Sequence, residues 1–197
     1  MNLLYPISHS LYFFRRIWYV ILLKGCDLMK TKKLTLMALL TAIALTIFMI
    51  EAQLPPLVPI PGVKLGLANI VTVFAVFALG PKDACMILFA RIFLGAVFAG
   101  NFSTIFYSGA GGLVSILVTI GLRKVLTVKQ LWVAGALAAI GHSVGQMAMA
   151  IFISRTVGLI VYLPMMIVCS VITGVFTGLC AQLLLNRGKE LWKTFLK

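Results

Sequence analysis

Polar residues cut this chain into six apolar runs, at about residues 34–54, 65–79, 84–99, 103–122, 131–153 and 157–185. A membrane-crossing helix needs about 20 apolar residues at roughly 1.5 Å rise each. The runs therefore predict an all-α integral membrane protein, a bundle of six transmembrane helices. The second and third runs are short and are expected to extend through their flanking loops. The sixth is longer than a bilayer needs and contains Pro164. It is expected to begin as an interfacial turn and to kink at the proline.

Composition sharpens this reading. Of 197 residues, 62% are hydrophobic and 11% are charged, whereas a soluble domain carries about 25% charged residues. The net charge of +13 does not point to nucleic acid, because the cations sit in short segments between apolar runs and form no stripe interleaved with aromatics. Most of the 17 Lys and Arg residues fall on one side of the six-helix arrangement; Lys64 and Arg155 fall on the other, and Arg91 lies inside the third run. The positive-inside rule then places both termini in the cytoplasm and the chain in the plasma (cytoplasmic) membrane as a multi-pass protein. The four cysteines have neither CxxC spacing nor a nearby histidine pair, so no disulfide framework, metal site or cofactor is expected.

Three segments follow. Residues 1–28 contain LYFFRRIWYVILL, apolar but split by Arg15 and Arg16. They read as an interfacial amphipathic segment, or as an extension ahead of a second natural start at Met29. Residues 29–190 form the transmembrane domain, and 191–197 a short basic cytoplasmic tail. Within the domain, Ala38 and Ala42, Gly141 and Gly145, and Gly174 and Gly178 are each four apart. Small residues at that spacing let helix backbones approach in lipid. Gly109, Gly111 and Gly112 predict a loosened, locally broken stretch in the fourth helix.

Polar groups inside a membrane are costly, so they mark candidate chemistry. The segment EAQLPPLVPIPGVKLGLANI places Glu51, Gln53, Lys64 and Asn69 around four prolines. Counting the rise per residue puts Glu51 about 25 Å up the first helix, His142 about 16 Å and Gln146 about 22 Å up the fifth, and Arg91 about 10 Å above the inner end of the third. His142 and Gln146 share one helix face, while Asn101 and Arg155 end helices on the outer side. The expected site is an outward-facing pocket lined by Glu51, Gln53, Lys64, Asn69, Arg91, Asn101, His142 and Gln146, with the proline loop as lid and Lys64 and Arg155 drawing in an anionic group. The inventory excludes several enzymes: Asp27 and Asp83 are the only aspartates, and there is no Walker A loop, HExxH or GxSxG. Prenyl diphosphate synthesis would need aspartate-rich magnesium sites that this chain lacks.

The segment PPLVPIPGVKLGLANIVTVFAVFALGP, followed by ARIFLGAVFAG and FYSGAGGLVSILV, resembles the Gx transporter family, also labelled heptaprenyl diphosphate synthase component I. The resemblance covers about residues 30–187. Such proteins are similar to the S components of energy-coupling factor (ECF) transporters, six-helix proteins that capture a vitamin or precursor at the outer face. The resemblance implies a small-molecule substrate and a transmembrane coupling protein with ATPase subunits. Ala38 and Ala42 match the AxxxA docking motif of S components on helix one. The residue inventory leaves no enzymatic role expected for this chain, although the family label names a synthase component. Two other classes remain: a membrane accessory subunit of prenyl diphosphate or quinone precursor synthesis, and a solitary secondary transporter, for which six helices without a visible inverted repeat make a small frame.

Overall fold

The computed structural model describes residues 31–53 and 66–188. The outer segments 1–28 and 191–197, Lys64 and the proline loop lie outside the described residues. Among the described residues the fold is all-helical. The α-helices are α1 (Thr31–Ala52), α2 (Asn69–Ala78), α3 (Pro81–Ala99), α4 (Ser103–Arg123), α5 (Leu131–Ser154) and α6 (Leu163–Arg187), with 3₁₀ turns at Val128–Gln130 and Val157–Tyr162.

Local sequence sets the helix boundaries. Gly80, at φ +114°, makes the turn between α2 and α3, and Pro81 opens α3 where its missing N–H costs nothing. The Asn101 side chain accepts a hydrogen bond from the Ser103 N–H (3.0 Å) at the start of α4. Thr127 and Gln130 form a capping box that leads into α5. Pro164 stands in the first turn of α6, after the 3₁₀ turn. The expected turn is present as the 3₁₀ segment Val157–Tyr162, but the expected kink is not: Pro164 starts a helix instead of bending one.

Six helices do not make six spans. By length and composition, four segments can cross a membrane: Thr31–Ala52, Ser103–Arg123, Val128–Ser154 and Val157–Arg187. The second apolar run yields only the ten residues of α2, about 15 Å of helix. It is apolar on nearly every side, with Val71, Val73, Phe74, Ala75 and Val76 all buried, and it touches each of the other five helices. A helix hydrophobic all round belongs in a core. The third run yields α3, whose 19 residues include Lys82, Asp83 and Arg91.

Around α2, the core gathers Leu36, Leu40 and Ala44 of α1, Ile87, Leu88 and Ile92 of α3, Ile116 of α4, Ala138 of α5 and Ala181 of α6. Large apolar side chains also cover the outside, among them Leu39, Phe89, Phe93, Leu117, Phe152, Ile172 and Phe176. That much exposed hydrocarbon suits lipid and not water.

α5 lies between α4 and α6, and glycines set both spacings. A Cβ on Gly135 would stand 2.3 Å from the Gly174 carbonyl oxygen, and one on Gly178 would stand 2.5 Å from that of Leu131. On the other face, a Cβ on Gly145 would meet the Ala110 carbonyl oxygen at 2.7 Å. Both glycine pairs named from the sequence thus serve contacts within the bundle. The expected break in α4 is absent: the helix runs unbroken from Ser103 to Arg123. Gly111 and Gly112 are there to admit neighbours, since Cβ atoms on them would meet α5 and α3 side chains at 3.0 Å or less.

At the end of the bundle opposite Glu51, Lys33 Nζ lies 2.7 Å from Asp83 Oδ2 and ties α1 to the first turn of α3. A carboxylate there also faces the positive end of the helix dipole.

Gly135→Leu should lower stability by about 3 kcal/mol or more, because backbone and not a movable side chain blocks the new atoms. Gly109→Ala, where a Cβ meets nothing within 4 Å, should raise it by about 0.5–1 kcal/mol. Thermal unfolding in detergent separates the two. Asp83→Asn should cost about 1 kcal/mol through the lost pair and dipole contact, and the loss should shrink when Lys33→Met is added.

Candidate functional site

Buried polar residues come together near the end of α1 that carries Glu51, because separate elements each deliver one. Glu51 stands in the last turn of α1 and is 5% exposed. Its Oε1 accepts a hydrogen bond from the Gly66 N–H, just ahead of α2. Gly66 has φ +80°, a left-handed conformation that glycine adopts without a Cβ clash. Asn69, the first residue of α2, is 2% exposed.

Arg91 projects from the middle of α3 and is 4% exposed. Its guanidinium carbon lies 5.8 Å from the centroid of the Phe48 ring, one turn before Glu51 on α1. It is within electrostatic reach of Glu51 and of His142. A guanidinium so deep in an apolar bundle needs a carboxylate, and the Phe48 π-face adds a second favourable contact. Gly95, one turn further along α3, leaves room for the Phe48 ring, which would stand 2.9 Å from a Cβ there.

His142 and Gln146, one turn apart on α5, are both buried. The imidazole is clasped between two glycines. A Cβ on Gly66 would meet His142 Cδ2 at 2.8 Å, and one on Gly111 would meet His142 Cε1 at 2.9 Å and Gln146 Cγ at 2.7 Å. The Asn69 amide nitrogen lies 3.4 Å from the same point on Gly66. Gly66 therefore brings the Glu51 carboxylate, the Asn69 amide and the His142 ring to one spot.

The structure thus gathers Glu51, Asn69, Arg91, His142 and Gln146 from α1, α2, α3 and α5. It does not gather all the expected residues. Gln53 is exposed past the end of α1. Asn101 is half-buried and binds the α4 backbone. Arg155 is exposed in a left-handed conformation at the end of α5. Lys64 and the lid role assigned to the proline loop fall outside the described residues. Ala38 and Ala42 are exposed on the outer face of α1, available to lipid or to a partner helix. Sequence reading missed three residues that shape the site: Gly66, Gly111 and Phe48. The glycines had a signal in GVKLGLANI and GAGG, but which side chain each one admits depends on a helix distant in sequence. Phe48 had none among so many apolar residues.

Several buried polar atoms have no hydrogen-bond partner among the described residues: both side-chain atoms of Asn69, Nε of Arg91 and Oγ of Ser115 on α4. Buried polar atoms are normally paired. A buried amide with both of its side-chain atoms unpaired among the described residues suits a place where another molecule binds.

No curated protein and no solved structure matches this chain. The family described as heptaprenyl diphosphate synthase component I matches residues 40–184, which include every residue of the buried polar group. This apolar, all-helical chain, with its polar side chains drawn inward, belongs to the heptaprenyl diphosphate synthase component I family.

Proposed function

We propose that this membrane protein is the substrate-binding subunit of a small-molecule uptake transporter, comparable to an ECF S component. The observation that carries the reading is the convergence of Glu51, Asn69, Arg91, His142 and Gln146 on one buried locus, with polar atoms of Asn69 and Arg91 unpaired among the described residues. A bundle that only had to fold would gain by placing apolar side chains there. The ligand enters from the outer face, both termini are cytoplasmic, and the membrane is the plasma membrane, in keeping with the cation distribution. The chain performs no catalysis and binds no nucleotide; the driving force comes from a separate coupling protein with ATPase subunits. That partner docks on the exposed face of α1 through Ala38 and Ala42, where small side chains allow close helix contact.

The family description favours a second reading, an accessory membrane subunit of heptaprenyl diphosphate synthesis. The two differ in what accompanies the chain.

Affinity purification from membranes should recover a coupling protein and ATPases, and Ala42→Leu should cut that recovery about tenfold while leaving the fold intact. Recovery of a soluble prenyl synthase instead, with no small molecule seen by native mass spectrometry, would establish the accessory role. Glu51→Ala should abolish ligand retention. Because it also leaves the Arg91 guanidinium uncompensated, at a cost of about 3–5 kcal/mol, Glu51→Ala/Arg91→Met serves as the folded control.

A further inference from the structure

The charges and hydrogen-bonding groups of the buried locus limit what it can hold. Among the described residues the buried charged side chains are Glu51, Asp83 and Arg91. Asp83 is at the other end of the bundle with Lys33. Among the described residues the locus therefore carries one carboxylate and one guanidinium, each within electrostatic reach of the other. Its cation is already compensated. A diphosphate brings two or more negative charges and is held by several cations or by metal. Among the described residues it would find one engaged arginine and a carboxylate that repels it.

The capacity left over belongs chiefly to Asn69. Its Oδ1 and Nδ2 are both buried and both lack a hydrogen-bond partner among the described residues. Nδ2 faces the Gly66 position beside the His142 ring. A carboxamide offers one acceptor and one donor side by side in a plane. The group that satisfies both has a donor next to an acceptor in the same plane, as in a primary amide, a lactam or the amide edge of a heterocycle. Asparagine reads the edge of a nucleobase in this way. The Arg91 Nε–H, also without a partner among the described residues, is a further donor for a ligand acceptor.

We infer that the ligand is uncharged where it meets the bundle and presents an amide-type edge, a donor beside an acceptor, to Asn69. This rests on the substrate-binding reading proposed above and narrows it: the site selects a planar, amide-bearing small molecule and rejects prenyl diphosphates.

The test uses the full chain in detergent and reads ligand-induced shifts in thermal unfolding. The amide-edged probes are nicotinamide and uracil at millimolar concentration. Matched against them are 3-acetylpyridine, which keeps the ring and carbonyl of nicotinamide but loses the N–H donor, and two anions, inorganic pyrophosphate and isopentenyl diphosphate. An amide-edged probe should raise the unfolding temperature, 3-acetylpyridine should bind about tenfold more weakly than nicotinamide or worse, and Asn69→Leu should remove the shift. If Asn69→Leu does not fold, the comparison of nicotinamide with 3-acetylpyridine on the unsubstituted chain still decides. Stabilisation by either anion without stabilisation by an amide probe overturns the inference, as does the absence of a shift with every probe. Native mass spectrometry of the same preparation separates the two levels. A retained anionic small molecule overturns the amide assignment and leaves substrate binding standing. No retained molecule, together with a co-purified prenyl synthase, overturns both.

Discussion

A guanidinium cannot be left uncompensated inside hydrocarbon, and much of this architecture follows from where Arg91 is placed. It sits mid-way along α3, nearly excluded from the surface, against the Phe48 ring and within reach of the Glu51 carboxylate. Glu51 in turn holds the Gly66 N–H. One carboxylate thus answers a charge on α3, secures the chain just ahead of α2 and fixes the C-terminal end of α1. Removing either charge would strand the other in a medium that cannot solvate it. The first three helices are coupled at this point, although the segment from 54 to 65 separates Glu51 from Gly66 in the chain.

Glycine provides the other constraint. α5 approaches α6 through Gly135, Gly174 and Gly178 until backbone nearly touches backbone, and approaches α4 through Gly145. In lipid there is no hydrophobic gain from bringing helices together, so van der Waals contact at short range must supply the cohesion. The same close approach carries His142 and Gln146 up to Gly111 and presses the imidazole against Gly66. Packing and site are therefore built by one device. A methyl group at Gly66 or Gly111 would collide with the side chains that define the locus.

The short helix α2 explains how a polar site can exist within such an apolar chain. Because it does not span, it lies inside the bundle, in contact with the other five helices. Its start brings Gly66 and Asn69 to the buried polar groups of α1, α3 and α5.

The sequence by itself determined the class of protein and the main helices, because run length and the scarcity of charge depend only on local composition. It also singled out Glu51, Asn69, Arg91, His142 and Gln146, since a polar side chain in an apolar run is conspicuous wherever it points. Tertiary structure decided what run length cannot. It made the second run a core helix in place of a membrane span, left α4 unbroken through its glycines and put Pro164 at a helix start. It also separated Asn101, which serves a backbone N–H, from the residues that meet in the interior. Those outcomes depend on which helix lies opposite, and a contact between Gly66 and His142, so far apart in the chain, leaves no mark on the local pattern of either.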